Sequence, residues 1–354
     1  MTRNAATHAE PVLVTGSGGP ADPQPWRNAV CRLYGTSSPV VPLGKIMHWR
    51  AVTEALGVET PAADPALIAG GYFYRPHTTA PDAAELEADI WAAVSGGARW
   101  LLYPVVRGAA ALLERHGFVE LPWFVEAEFV TDDEPDHQLR TLMGGARFRE
   151  LRRMVRRAEE QFEWHMTTGD RIDDEILTAF DRLHRLNLAK YGHTRNHFAL
   201  PILRDLTRSA LGERMCFFLH RQRSGGTPVQ AVLAMRYPES NTVEVLVQGI
   251  DHAVVPPAQN LYATALYRIY RWGWSRGIHR FNLGRGAQLA KLNLGANRFH
   301  VVSNHIAPVT GDRHEEFAAL RAAARASMNT ALAALRAAAD RRSARDVVLP
   351  RDIV

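Results

Sequence analysis

Three apolar runs in close succession constrain this chain more than anything else in it: MCFFLHRQ at 215–222, QAVLAMRYP at 230–238 and TVEVLVQGID at 242–251. Each has the length of one strand and is rich in β-branched, aromatic or long aliphatic residues, and the segments RSGGTP and PESN between them carry turn chemistry. Strands joined by such short turns pair antiparallel, so 215–251 predicts a meander. A helical run, NLYATALYRIYRWGWSRG at 260–277, and a further strand, HRFNLG at 279–284, follow it.

The rest of the chain alternates in the same way. From 40 to 131 the runs ALIAGGYFY, ARWLLYPVV and WFVEAEFVT read as strands, with AAELEADIWAAVSGG and AALLERHG as helices between them. After the acidic segment DDEPDHQ, read as a linker, come a helix over GARFRELRRMVRRAEE, a strand at 162–167, and helices over 172–192 and 202–212. The segment EEFAALRAAARASMNTALAALRAAADRR predicts an alanine-rich terminal helix or hairpin. With 354 residues two domains are the default. The expected division is a loose arm at 1–25, an α/β domain at 26–135, a second at 136–312, and a C-terminal helix and tail at 313–354.

Composition removes several classes of function. Hydrophobic residues at 46% and charged residues at 22% describe a globular chain rather than a disordered or fibrous one. Cys31 and Cys216 form neither a disulfide framework nor a metal-ligand spacing, and the 15 histidines include no H-E-x-x-H, so the expectation is a reduced, metal-free protein. The first residues have no signal-like apolar core and no run is long enough to span a membrane, so a cytoplasmic location is expected. LVTGSGGPADPQP is not a phosphate loop, because it lacks the G-K-[ST] ending and its prolines bar a helix from starting there.

A net charge of +5 favours phosphate-bearing partners. Arg149, Arg152, Arg153 and Arg156 lie on a helix whose apolar positions are Phe148, Leu151, Met154 and Val155. Two readings fit: a solvated face, or a cradle for a polyanion, either a nucleic-acid backbone or a cofactor diphosphate.

The order of strands, helix and strand ending at a glycine resembles the core of the GNAT acyltransferase fold. Further strings carry the resemblance toward the FemABX-like branch and the related BioF2-like acyltransferases: L-x-x-x-x-R-F-R-E-L-R-R-x-x-R-R-A at 142–158, F-D-R-L-H at 180–184, the P-x-x-N-L-Y helix entry containing Asn260, and G-x-x-x-x-x-x-K at 284–291. The likeness implies an α/β (α+β) fold of tandem GNAT-like domains, each a mixed, largely antiparallel sheet flanked by helices. It also implies amide-bond formation by direct acyl transfer, with no bound cofactor and with either a charged tRNA or an acyl-CoA as donor. Acyl-CoA enzymes of the fold hold the pyrophosphate on a glycine-rich loop, and VVPPAQNLYATA at 254–265 has no glycine there, which favours the charged tRNA. The acceptor is expected to be the amine of a small molecule.

The candidate site follows. Lys291 occupies the position where the resemblance places a lysine that contacts the donor carbonyl. In TVEVLVQG, period-two alternation puts Thr242, Glu244, Leu246 and Gln248 on one face and the valines on the other, so Glu244 becomes the candidate base and Gln248 a substrate-orienting group. A water-facing side of the sheet explains the same pattern. Arg285, between two glycines, is a candidate anion clamp; Tyr191 and His193, in KYGHTRNHF, Asn260, and Lys45 and Trp49 in PLGKIMHW are candidate substrate-binding residues. A serine hydrolase is disfavoured because no G-x-S-x-G elbow is present. A non-catalytic RNA- or anion-binding protein remains the rival outside enzymology.

Overall fold

The computed structural model describes residues 24–36, 39–46, 62–69, 81–107, 111–192, 196–256, 259–309, 317–341 and 347–351, with the single residues 49, 53 and 353. The arm expected at 1–25 falls almost wholly outside them, as does the second half of the strand expected at 66–74.

The first part of the chain contributes α1 (Gln24–Tyr34), β1 (Val40–Pro42), β2 (Pro65–Ile68), α2 (Ala83–Ser95), β3 (Trp100–Arg107), α3 (Ala111–Arg115) and β4 (Val119–Val130). The middle supplies α4 (Pro135–Met143), α5 (Gly145–Gln161), β5 (Phe162–Thr168), α6 (Asp174–Lys190) and α7 (Leu200–Thr207). Then come β6 (Met215–Gln222), β7 (Pro228–Tyr237), β8 (Thr242–Ile250), α8 (Leu261–Trp274), β9 (Arg280–Arg285), α9 (Gln288–Asn293), β10 (Arg298–Pro308) and α10 (Ala318–Asp340). The meander forms as expected, within one residue at its outer limits apart from an earlier start of β7. Helix caps are local: Asp82 and Glu85 close a capping box on α2, and Asp173 accepts the Ile176 N–H at the start of α6.

The ten strands of the described residues form one sheet in the order β1-β2-β3-β10-β4-β9-β8-β7-β6-β5. Among the strands of the described residues, β2–β3 and β8–β9 alone pair parallel. One face of its central and C-terminal strands is covered by α4, α5, α8 and α10, which meet Phe129, Phe218, Val232, Val243 and Phe281 in the largest core. The opposite face of β6 and β7 is covered by α6 and α7, whose Phe180, Leu183 and Leu203 pack on Phe217, Leu233 and Met235. Strands covered on both faces lose the apolar–polar alternation of a half-exposed sheet, which is why β6 and β7 read as nearly continuous apolar runs.

Three of the elements that depart from the sequence reading bear on the site or the sheet around it. The acidic linker is in part helix α4: Pro135 opens it with φ preset, Glu134 accepts the Asp136 N–H, and Leu139 and Met143 anchor it in the core. Lys291 lies on the short helix α9, to which the sequence reading gave no element. Strand β10 was not anticipated, because its interior carries Ser303, Asn304 and His305. These are fully buried because β10 lies between β3 and β4; Ser303 donates to Glu120 (2.6 Å), and Asn304 accepts the N–H of Val105 (2.9 Å), a residue at φ +63°.

Candidate functional site

The site grows out of an irregularity in β8. Pairing with β7 runs Leu233↔Val247 and then Ala234↔Val245, so β8 holds one residue more than its neighbour there, a β-bulge. Adjacent β7 residues face opposite ways, so Val245 and Val247 do too: Val245 packs with α8 and Val247 against the α6–α7 core. The bulge reverses the phase of the strand. Glu244, paired with Met235, faces the α6–α7 side, whereas Gln248, paired with Val232, faces the α5–α8 side. The expected shared face of Glu244 and Gln248 therefore does not exist. Gln248 instead accepts from Gln230 (3.2 Å), whose own Oε1 meets His220 Nδ1 (2.7 Å), and it does not join the cluster around Glu244.

On the far side of Glu244 the strands part. Parallel pairing of β8 with β9 covers only Thr242↔Arg280 to Glu244↔Asn282, after which β8 runs on to Ile250 and β9 turns away at Gly284 and Gly286. Both glycines take left-handed φ, +71° and +73°, a conformation that favours glycine. The register then aligns charged residues from strands far apart in sequence: Asn282 opposite Glu128, Arg285 opposite Glu126, and His300 of β10 opposite Glu126. Side chains paired across a sheet share a face.

The outcome is a buried charged cluster. Glu126 accepts from Asn282 (3.2 Å) and Arg285 Nε (3.3 Å) and pairs with Arg107 (3.4 Å). Glu128 pairs with Arg107 (2.9 Å), Arg280 (3.2 Å) and His300 (2.9 Å). Burial works against charge on Glu128, but the hydrogen bond from His300 and the charges of Arg107 and Arg280 outweigh it and hold the carboxyl well below the usual range. Glu244 is different. Its Oε2 has no hydrogen-bond partner among the described residues, and burial, reinforced by Glu126 and only partly offset by Arg107 and Arg285, pushes its pKa up to about 8.

Lys291 is brought to the same place by α9. It is 3% exposed, and its Nζ donates to the carbonyls of Gly284 (2.9 Å) and Arg285 (2.8 Å). Burial pulls its pKa down to about 7 against the attraction of Glu126. Glu126 and Arg285 thus act on both Glu244 and Lys291, which places the two candidate proton-handling groups around one ion pair.

The other sequence candidates lie elsewhere. Arg285 does not point at open space as a clamp: it pairs with Glu126 and lies over the Phe124 ring (5.3 Å). Trp49 is a core residue, fully buried and edge-on to Phe317 (5.8 Å), so it does not line an acceptor pocket. Lys45 is exposed at the end of a short turn near β1. Asn260 caps α8, its side chain accepting the Ala263 N–H (3.3 Å). Tyr191 is 63% exposed at the C-cap of α6 under the Lys190 ammonium (5.5 Å), and His193 lies outside the described residues. On α5, Arg149, Arg153 and Arg156 are exposed, Arg153 pairing with Glu150, while Arg152 is held by Asp136 and by Tyr267 Oη (2.7 Å). Sequence reasoning missed Glu126, Glu128, Arg107, Asn282 and His300. WFVEAEFVT did hold a signal, since its alternation puts Glu126 and Glu128 on one face against Val125, Ala127 and Phe129.

Among the described residues no helix is long and apolar enough to cross a membrane, and no three metal-ligating side chains are grouped. Comparison with curated proteins gives no match. Among solved structures the chain is similar to L-PGS from Bacillus licheniformis, at 12% identity and TM-score 0.50 over 68% of this chain and 77% of that one. It is also similar to the C-terminal domain of a putative lysylphosphatidylglycerol synthetase from Agrobacterium fabrum (12%, TM-score 0.48, 70% and 77%) and to FemX (12%, TM-score 0.45, 80% and 95%). Residues 145–292 match the model of the acetyltransferase (GNAT) domain. That stretch runs from the arginine helix through the meander to α9, so the chain carries a GNAT acyltransferase domain with Glu244 and Lys291 both inside it.

Proposed function

We propose that this protein is an N-acyltransferase that moves an aminoacyl group from a charged tRNA directly to the amine of a small acceptor, with no covalent enzyme intermediate and no bound cofactor. The amine nitrogen attacks the carbonyl carbon of the aminoacyl ester, the ester C–O bond breaks, and an amine proton ends on the departing ribose oxygen. Glu244 takes that proton. Its pKa of about 8 makes its carboxylate a stronger base than an ordinary one, and its unpartnered Oε2 is available to accept. Lys291 has two of three donors on backbone carbonyls and presents the third to the developing oxyanion. The charges of Glu126 and Arg285 act on both groups.

The observation that carries the choice of donor is the entry to α8. It has no glycine, Pro256 offers no N–H, and the Ala263 N–H at the first turn is already taken by the Asn260 side chain. A pyrophosphate would find few backbone donors there. The exposed arginines of α5 support the same donor. The test is incubation with aminoacylated total tRNA or a panel of acyl-CoAs, together with a panel of small amines. RNase treatment of the tRNA arm should abolish amide product, and acetyl-CoA should show no saturable binding in the micromolar range. Tight CoA binding with RNase-resistant product overturns the tRNA donor in favour of acyl-CoA; RNA binding without turnover of either donor overturns the enzyme.

A further inference from the structure

A groove of about 320 Å³ between α5 and α8 shares no residue with the cluster around Glu244 and Lys291. Its walls are unusual in charge. Five arginines line it, and Glu159 is the single carboxylate among its lining residues. Glu159 pairs with Arg268, and Asp136 behind the wall pairs with Arg152. The hydrogen bonds described for Arg271 and Arg276 go to neutral oxygens: Arg271 to Tyr267 Oη (3.2 Å), and Arg276 to the Trp272 carbonyl (3.3 Å) and Ser275 Oγ (3.1 Å). Arg156 adds an exposed guanidinium opposite them. Like charges gathered in a concave surface repel unless an anion enters, and the same geometry concentrates an anion's attraction.

The groove is also aromatic. Trp164 is held by stacking on Phe218 (5.6 Å) with Arg268 over its ring (5.8 Å), and Trp272 is held edge-on to Phe218 (5.0 Å) with Arg276 over its ring (5.0 Å). Each ring thus lies against a guanidinium, so the wall joins aromatic and positive surface. The Trp272 Nε1–H is buried and has no acceptor among the described residues. Planar surface beside several guanidinium groups is the chemistry that takes a base and its phosphate. Positive charge continues out of the groove along α5 through Arg149, which suits a strand running on from the pocket better than a free small nucleotide.

We infer that the α5–α8 groove seats one nucleotide of a single-stranded RNA segment, its base against the tryptophans and its phosphates on Arg156, Arg271 and Arg276. The inference deepens the charged-tRNA reading, on which it rests, by giving the donor a contact outside the reaction centre.

The test is fluorescence anisotropy of the full chain with a labelled single-stranded RNA of about eight nucleotides, within the site sizes of single-strand binders. Wild type is compared with the double variant Arg271→Ala/Arg276→Ala and, as a solvent-facing change that leaves the core alone, Arg156→Glu. Saturable binding is expected, with the log–log salt slope flattened by about 0.7 for each arginine contact removed and with thermal unfolding unchanged. Absence of wild-type binding, or both variants binding with an unchanged slope, overturns the site. A free nucleoside monophosphate binding as tightly as the oligonucleotide overturns the strand and leaves a small-nucleotide pocket. Failure of the donor reading is separable: RNA binding that depends on these arginines, alongside RNase-resistant turnover with acyl-CoA, removes tRNA as donor while the groove remains.

Discussion

Glu244→Gln tests the centre of the site by two measurements at once. Glutamine keeps the shape of the side chain and is always neutral, so the variant isolates the cost of charging Glu244. Moving a carboxyl pKa from 4.5 to about 8 corresponds, at about 1.4 kcal/mol per pH unit, to about 5 kcal/mol. The sign follows from which state binds the proton. Below pH 4.5 Glu244 is protonated in both folded and unfolded chains and its contribution is fully present. Between 4.5 and 8 the unfolded chain ionises it while the folded chain keeps the proton, so wild-type stability falls as pH rises. Above 8 both states are ionised and the loss is complete. Urea unfolding at intervals from pH 5 to 9 should therefore show Glu244→Gln gaining on wild type by up to about 5 kcal/mol at the alkaline end, a large share of the stability of an ordinary domain. Turnover moves the other way: without the base, kcat/KM should fall by about 10² to 10⁴. Stability curves for the two proteins that run parallel across this range would refute the buried, neutral Glu244, and undiminished turnover would remove it from the chemistry.

With Lys291 at about 7 and Glu244 at about 8, wild-type kcat/KM should be bell-shaped in pH with its maximum between those values. Lys291→Ala should lower turnover by about 10² and remove the alkaline fall that comes from Lys291 losing its proton, as read by a pH–rate profile. Trp49→Ala should cost about 3 to 5 kcal/mol in denaturant unfolding while the KM for acceptor stays at its wild-type value, because the ring fills the core; a selective rise in KM would return it to the site. Gly249→Ala should destabilise the chain by on the order of 1 to 3 kcal/mol or more, since the new methyl would stand 2.3 Å from the backbone of Leu183 where α6 crosses β8; an unchanged melting temperature would show that this crossing has slack.

Much of the C-terminal half was legible because its signals are local. Strand length, turn residues and apolar periodicity located β6, β7, β8, α8 and β9 and hence the GNAT-like order, and the place of Lys291 after the Gly-Arg-Gly turn marked it as a site candidate. Periodicity failed at Gln248. A β-bulge leaves no mark in TVEVLVQG itself: the extra residue is defined by pairing with β7, and one unpaired position is enough to turn every later side chain to the other face. Trp49 misled for a related reason, since an aromatic beside a lysine reads the same whether it lines a pocket or packs on Phe317.

By itself, then, the sequence determined the identity and local order of most elements, though not of α4, α9 and β10, and marked a glutamate and a lysine as candidates. Tertiary structure decided their meaning. Only the sheet order brings β10 between β3 and β4, and β9 beside β4, so that Glu126 and Glu128 meet Arg280, Asn282, Arg285 and His300, all more than a hundred positions away. The carboxyl of Glu244 and the amine of Lys291 acquire pKa values near neutrality because that assembly takes them out of water among other charges, and desolvation is a property of everything packed around a group rather than of its neighbours in the chain.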